Sequence, residues 1–127
     1  AAAEDAGADG VSLVNTYMGI AVEAGNMRPV LGNVTGGLSG PDIKPVALKA
    51  VRDVYGKVKI SVVGVAGKKT GTDVAEFMLC GAAAVQVGTA NLADPSSYGR
   101  ILGQFKEYLK EKSIKKAKDL TGALKAR

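Results

Sequence analysis

The run Val58-Lys59-Ile60-Ser61-Val62-Val63 enters the loop Gly64-Val65-Ala66-Gly67-Lys68-Lys69, and its reading sets the fold. A β-branched stretch closed by glycine is a strand signal. A helix is predicted next, from about Thr72 to Cys80, with Val74, Phe77 and Met78 toward the core and Gly81 ending it. Ala83-Ala84-Val85-Gln86-Val87 then reads as another strand running into Gly88-Thr89. Strand, helix and strand with connections too long for a hairpin require parallel strands joined by a right-handed crossover.

The same alternation extends outward. Upstream, Ala1 to Ala6 reads as a helix end stopped by Gly7, and Gly10-Val11-Ser12-Leu13-Val14-Asn15 as a strand with a polar last residue. Tyr17 to Pro29 has no clear period and is expected to be a loop with room for a helical turn or a hairpin. Val30 to Val34 is a candidate short strand. Thr35-Gly36-Gly37-Leu38-Ser39-Gly40-Pro41 is expected to be a shaped loop because of its glycine content. From Pro41 the apolar spacing of Ile43, Val46, Ala47, Ala50, Val51 and Val54 predicts a helix ended by Gly56. Downstream, a long helix is predicted from near Ser96-Ser97 with Ile101, Phe105, Tyr108 and Leu109 as its stripe, then a shorter basic helix from Ser113 to Leu124. The fold class is α/β, with three to four parallel strands in one domain spanning residues 1–127.

Composition narrows the function. The chain has 127 residues, 46% apolar and 23% charged, which suits a packed domain but falls short of the ~250 residues of a whole (β/α)₈ barrel. No apolar run approaches the ~20 residues of a membrane helix, and no signal peptide is read at the start, so a cytoplasmic location and no membrane partner are expected. Histidine is absent and Cys80 is the single cysteine, which argues against a metal site, a disulfide or imidazole chemistry. Cys80, beside Met78 and Leu79, reads as a small apolar residue. The net charge of +5 resides between Lys106 and Arg127, where eight basic residues face three acidic ones. Lysines mixed with acids and without interleaved aromatics read as a solvated helical tail, and nucleic acid is not an expected partner.

In parallel α/β folds ligands sit at the carboxyl ends of strands. Asn15 and Thr16 end the first strand and offer an amide and a hydroxyl to a small polar substrate; they are equally ordinary turn residues. Gly64-Val65-Ala66-Gly67 and Gly88-Thr89 end the next two. Small residues there let backbone N–H groups approach an anion, aided by the following helix N-terminus, and phosphate is the natural ligand. Lys68 and Lys69 at a helix start oppose its dipole, with Asp73 and Glu76 offsetting them in part, a conflict that a bound phosphate would relieve. The glycines of the 36–40 segment suit a loop wrapping a ligand.

Together, Asn15-Thr16, Asn33-Val34-Thr35-Gly36-Gly37-Leu38-Ser39-Gly40-Pro41, Glu76-Phe77-Met78-Leu79 and Val85-Gln86-Val87-Gly88-Thr89-Ala90-Asn91 resemble the C-terminal half of the dihydroorotate dehydrogenase family, class 1B, the NAD-linked catalytic subunit. The resemblance implies the C-terminal part of an FMN-containing (β/α)₈ barrel that oxidises dihydroorotate to orotate in pyrimidine biosynthesis and passes electrons to NAD through an iron–sulfur flavoprotein subunit. It implies that Asn15 and Thr16 contact the pyrimidine and that Val14 and Gly40 lie against FMN. Ala66, Gly67, Gly88 and Thr89 are implied to hold the FMN phosphate. The family usually has glycine at the position of Ala66 and an apolar residue at that of Lys68. Its catalytic cysteine, flavin-contacting lysines and first strands match no residue from Ala1 onward, so the 127-residue chain alone is expected to be inactive and to self-associate or pair with a missing barrel half. A non-flavin phosphate-binding half-barrel, a nucleic-acid module and a folding fragment without activity remain as alternatives.

Overall fold

The computed structural model describes residues 1–125. In chain order it contains α1 (Ala2–Asp5), β1 (Gly10–Leu13), β2 (Tyr17–Ile20), β3 (Val22–Glu23), β4 (Arg28–Pro29), β5 (Thr35–Leu38), α2 (Lys44–Tyr55), β6 (Ser61–Gly64), α3 (Gly71–Leu79), β7 (Ala84–Val85), α4 (Thr89–Ala93) and α5 (Ser97–Glu111). Single 3₁₀ turns occupy Pro41–Ile43 and Ala117–Leu120.

The central sheet is parallel, in the order β1-β6-β7. Gly10 lies opposite Ser61 and Leu13 opposite Gly64, while Val63 pairs with Ala84 and Gly64 with Val85. The crossover inferred from 58–89 is therefore present, and the sheet has three strands. Ala47 and Val51 of α2, Val62 of β6, Phe77 of α3 and Ala82 form one buried cluster. Val74, Ala75 and Met78 of α3, Ile101 of α5 and Leu120 form the other. Helix α3 thus sits between the two, and burying such side chains stabilises by about 1.5–3 kcal/mol each. Gly64 permits the close approach: a Cβ there would lie 2.6 Å from the Phe77 ring.

Several expectations change. Thr35-Gly36-Gly37-Leu38, expected as loop, is a strand, β5, pairing antiparallel with β2, while β3 and β4 form the hairpin allowed for between Tyr17 and Pro29, so residues 17–38 make a two-part ribbon. Gly36 and Gly37 serve that pairing. A Cβ on Gly37 would meet the Thr16 side chain and one on Gly36 would lie 2.6 Å from Leu31. The candidate strand at Val30 to Val34 does not form, although the Val30 N–H bonds the Ala21 carbonyl. Val46 is 51% exposed, so the buried strip of α2 is narrower than its apolar spacing suggested.

The 106–127 segment is also different from a free helical tail. Helix α5 ends at Glu111 and only one 3₁₀ turn follows, so the expected helix from Ser113 to Leu124 is absent. Leu120 is buried, the Thr121 hydroxyl donates to the Ala82 carbonyl at 3.1 Å, and the Gly122 N–H donates to the Met78 carbonyl at 2.9 Å. Apolar contact with α3 overrides helix propensity there. Residues 126 and 127 of this segment lie outside the described ones. No helix among the described residues is long and apolar enough to cross a membrane.

Candidate functional site

A cleft of about 320 Å³ opens at the carboxyl ends of β1, β6 and β7. All eight residues singled out from the sequence line it: Val14, Asn15 and Thr16 after β1, Gly40 after β5, Ala66 and Gly67 after β6, and Gly88 and Thr89 after β7. The parallel register brings them together, because it aligns the three strand ends. Pairing continues past the sheet: the Val14 N–H bonds the Val65 carbonyl at 3.3 Å, and the Val65 N–H bonds the Leu13 carbonyl. The Asn15 side-chain oxygen accepts from the Thr16 N–H at 2.8 Å, which leaves the Asn15 amide nitrogen as its available donor. The Thr89 hydroxyl donates to the Ser39 hydroxyl at 2.9 Å and ties the 39–41 segment to the β7 loop.

The β6 loop has two successive residues in the left-handed region. Ala66 and Gly67 have φ of +75° and +78°. The N–H groups of Ala66, Gly67, Lys68, Gly88 and Thr89 donate to no protein acceptor among the described residues. Gly67 is required here twice over, since a Cβ would also stand 2.7 Å from the Lys44 Cα.

The N-terminus of α3, expected to help hold an anion, is instead occupied by the chain itself. The Thr70 hydroxyl accepts from the Asp73 N–H at 3.2 Å, and the Asp73 carboxylate accepts from the Thr70 N–H at 2.7 Å, which is a capping box. Asp73 also accepts from the Lys69 N–H at 2.8 Å and from the Lys44 ammonium, while the Gly71 N–H donates to the Gln104 side chain. Burial pushes the Asp73 carboxyl up, but Lys44 and these donors outweigh it and hold the pKa below its ordinary value. The hydrogen bonds from Lys44 to Asp73 and Glu76 raise the Lys44 pKa.

Lys68 and Lys69 part company. Lys69 is exposed, and its backbone N–H donates to Asp73. Lys68 is only 5% exposed; its ammonium donates to the Ala66 carbonyl at 3.0 Å and lies 3.5 Å from the centroid of the Phe77 ring. Burial pushes its pKa down to about 7. Arg100 was not foreseen. From α5 its guanidinium donates to the Lys69 carbonyl at 3.3 Å and lies 3.6 Å from the Asp94 carboxylate, at the rim of the cleft. Only the packing of α5 against α3 brings it there. Cys80 is half-buried outside the cleft and burial raises its thiol, as suits a packing residue.

A parallel sheet with a cleft lined by glycine-marked loops across its strand ends is the arrangement of the (β/α)₈ barrel class. The family model described as "Dihydroorotate dehydrogenase" matches residues 1–109, and the chain belongs to that family. It is 52% identical over 123 residues to the dihydroorotate dehydrogenase B (NAD(+)) catalytic subunit of Geobacter sulfurreducens, covering 97% of this chain and 40% of the relative. Against the catalytic subunit of Geotalea uraniireducens it is 54% identical over 120 residues, covering 94% and 39%. The chain thus spans about 40% of the length of these relatives. Among solved structures, DHODH of Eimeria tenella in complex with ferulenol superimposes with a TM-score of 0.79 at 27% identity, covering 95% of this chain and 32% of that one. The ligand-free form from the same organism gives 0.78 at 27% identity, covering 98% and 35%.

Proposed function

We propose that this chain is the phosphate-binding and substrate-facing portion of a dihydroorotate dehydrogenase of the NAD-linked type, acting in pyrimidine biosynthesis. The observation that carries the reading is the convergence on one cleft of the Asn15-Thr16 polar pair with five unpartnered N–H groups from the β6 and β7 loops. The donor set suits FMN. N–H groups of Ala66, Gly67, Gly88 and Thr89 would hold its phosphate, and Val14 and Gly40 would lie against the flavin. Bound FMN would supply the hydride acceptor for conversion of dihydroorotate to orotate. Asn15 and Thr16 would fix the orientation of the pyrimidine by hydrogen bonding. None of Val14, Asn15, Thr16, Gly40, Ala66, Gly67, Gly88 and Thr89 carries a base suited to remove the substrate proton, so the proposal assigns that step to a residue other than these. Relatives named as NAD(+) catalytic subunits support an iron–sulfur flavoprotein partner that carries electrons to NAD.

The test is a titration with FMN, followed by flavin fluorescence, with riboflavin as the phosphate-free control. FMN binding at least tenfold tighter than riboflavin is expected. Equal binding of the two would remove the phosphate role from the β6 and β7 loops, and failure of both to bind would remove the flavin reading for this chain. Dihydroorotate with an artificial acceptor is expected to give no turnover.

A further inference from the structure

Lys68 is a buried amine that the reading above does not use. Its ammonium meets a carbonyl of the β6 loop and the face of an aromatic ring, and forms no ion pair with a carboxylate among the described residues. The charges around it are committed elsewhere. Asp73 of α3, whose charge favours the ammonium form, is bound by Lys44, Lys69 and Thr70. Glu76 is paired with Lys44 of α2 at 2.9 Å, and Arg100 of α5 faces Asp94 and the Lys69 carbonyl. Lys69 is exposed. The bond from the Lys68 ammonium to the Ala66 carbonyl fastens the residue that begins the positive-φ pair of the β6 loop.

We propose that Lys68 is a positioning residue of the anion site: its ammonium, held between the Ala66 carbonyl and the Phe77 ring, fixes the loop and supplies positive charge beside the cleft, so that binding a phosphate dianion and protonating Lys68 favour one another. The inference rests on the phosphate reading of the β6 and β7 loops. A dianion in the cleft becomes the opposite charge that Lys68 otherwise lacks, and an opposite charge nearby raises a lysine pKa. Burial has already brought that amine to about 7, so the proton is taken up in the neutral range. By linkage, raising the Lys68 pKa by about one unit on binding makes the ligand bind about tenfold more tightly below the transition than above it.

The experiment is calorimetric titration of the 127-residue chain with FMN at pH 7.5 in two buffers of different ionisation enthalpy, repeated with Lys68→Met, together with affinities from pH 6.5 to 8.5. Part of FMN's own phosphate ionisation also falls in this range, and the Met variant measures it. Uptake of a fraction of a proton by the unaltered chain is expected, absent in Lys68→Met, with the ratio of the two affinities falling several-fold as pH rises. Proton exchange on FMN binding that is the same for the unaltered chain and Lys68→Met overturns the proposal, as does an affinity ratio that stays flat from pH 6.5 to 8.5. If neither FMN nor inorganic phosphate binds the unaltered chain, the phosphate reading fails and this inference with it. FMN binding without a difference in proton exchange between the two chains removes the role of Lys68 alone.

Discussion

The Lys44 ammonium lies 2.6 Å from the Asp73 carboxylate, joining the first residue of α2 to the first turn of α3 across the anion loop between them. Asp73 therefore secures three things: the α3 cap, the Lys69 backbone and the α2–α3 approach. Replacing it by Asn keeps the shape and removes the charge. Asp73→Asn is expected to cost about 2 kcal/mol at pH 7, read from the urea midpoint, since hydrogen bonds to a charged acceptor are worth roughly 1.5–3 kcal/mol.

That contribution has a defined pH window. The folded-state pKa of Asp73 lies below its reference of 3.8, so the folded form binds the proton less readily than the unfolded one. The stabilisation is complete above the unfolded value and is lost as pH falls through it toward the folded pKa. Stability of the unaltered chain should drop more steeply below pH 4 than that of Asp73→Asn, and parallel curves would remove Asp73 from the account.

Ala66 holds a φ of +75°, which costs an L-residue roughly 1–2 kcal/mol. Ala66→Gly relieves it at a smaller entropic cost of about 0.5–1 kcal/mol, so a modest gain in stability and unchanged or tighter FMN binding are expected. Gly67→Ala should do the reverse. It adds a similar strain and sets a Cβ 2.7 Å from the Lys44 Cα, so a loss above ~2 kcal/mol together with loss of FMN binding is expected.

The βαβ unit was legible in residues 58–89 because glycine-bounded apolar runs and the Val74, Phe77, Met78 spacing are local signals. The cleft followed from it, since parallel strands bring their ends together. Of the ribbon of residues 17–38 only the hairpin within 17–29 was legible, as one option; the strand at 35–38 was not, because Gly36 and Gly37 read as loop formers, whereas they admit Leu31 and Thr16 at close range. Arg100 and the Leu120 segment depend on contacts with α3 from more than twenty residues away. The burial of Lys68 was hidden for another reason, since a lysine at a loop edge ordinarily faces water.

Lys68 also makes an energetic signature in the absence of ligand. Its pKa is about 7 in the fold against 10.5 as reference, so between these values the unfolded chain holds a proton that the folded chain releases. Where the unfolded state binds more protons, stability rises with pH. The unaltered chain should gain about 2 kcal/mol between pH 7 and 9 relative to Lys68→Met, at ~1.4 kcal/mol per pH unit near the middle of that window. Chemical denaturation of both chains at the two pH values measures it.

The sheet order leaves β1 and β7 as its two edges, and beside β7 an apolar groove of about 240 Å³ is lined by Val85, Val87, Ile101 and Phe105. Unpaired edges beside apolar surface favour association. The 127-residue chain is expected to form dimers or larger species, seen as a sedimentation coefficient that rises with concentration. A constant monomer value across a hundredfold range would count against association.

The docking of Leu120, Thr121 and Gly122 onto α3 has a consequence for the order in which this polypeptide is made. Translation proceeds from the N-terminus and folding follows it. Val74 and Met78 emerge about twenty to thirty residues before Ile101 of α5 and about forty before Leu120, which cover them together, so part of that side of α3 stays open to water until Leu120 has followed. During that interval the nascent chain carries its apolar surface uncovered, and a pause in synthesis between Lys106 and Leu120 would prolong the stage at which a holdase chaperone could engage it.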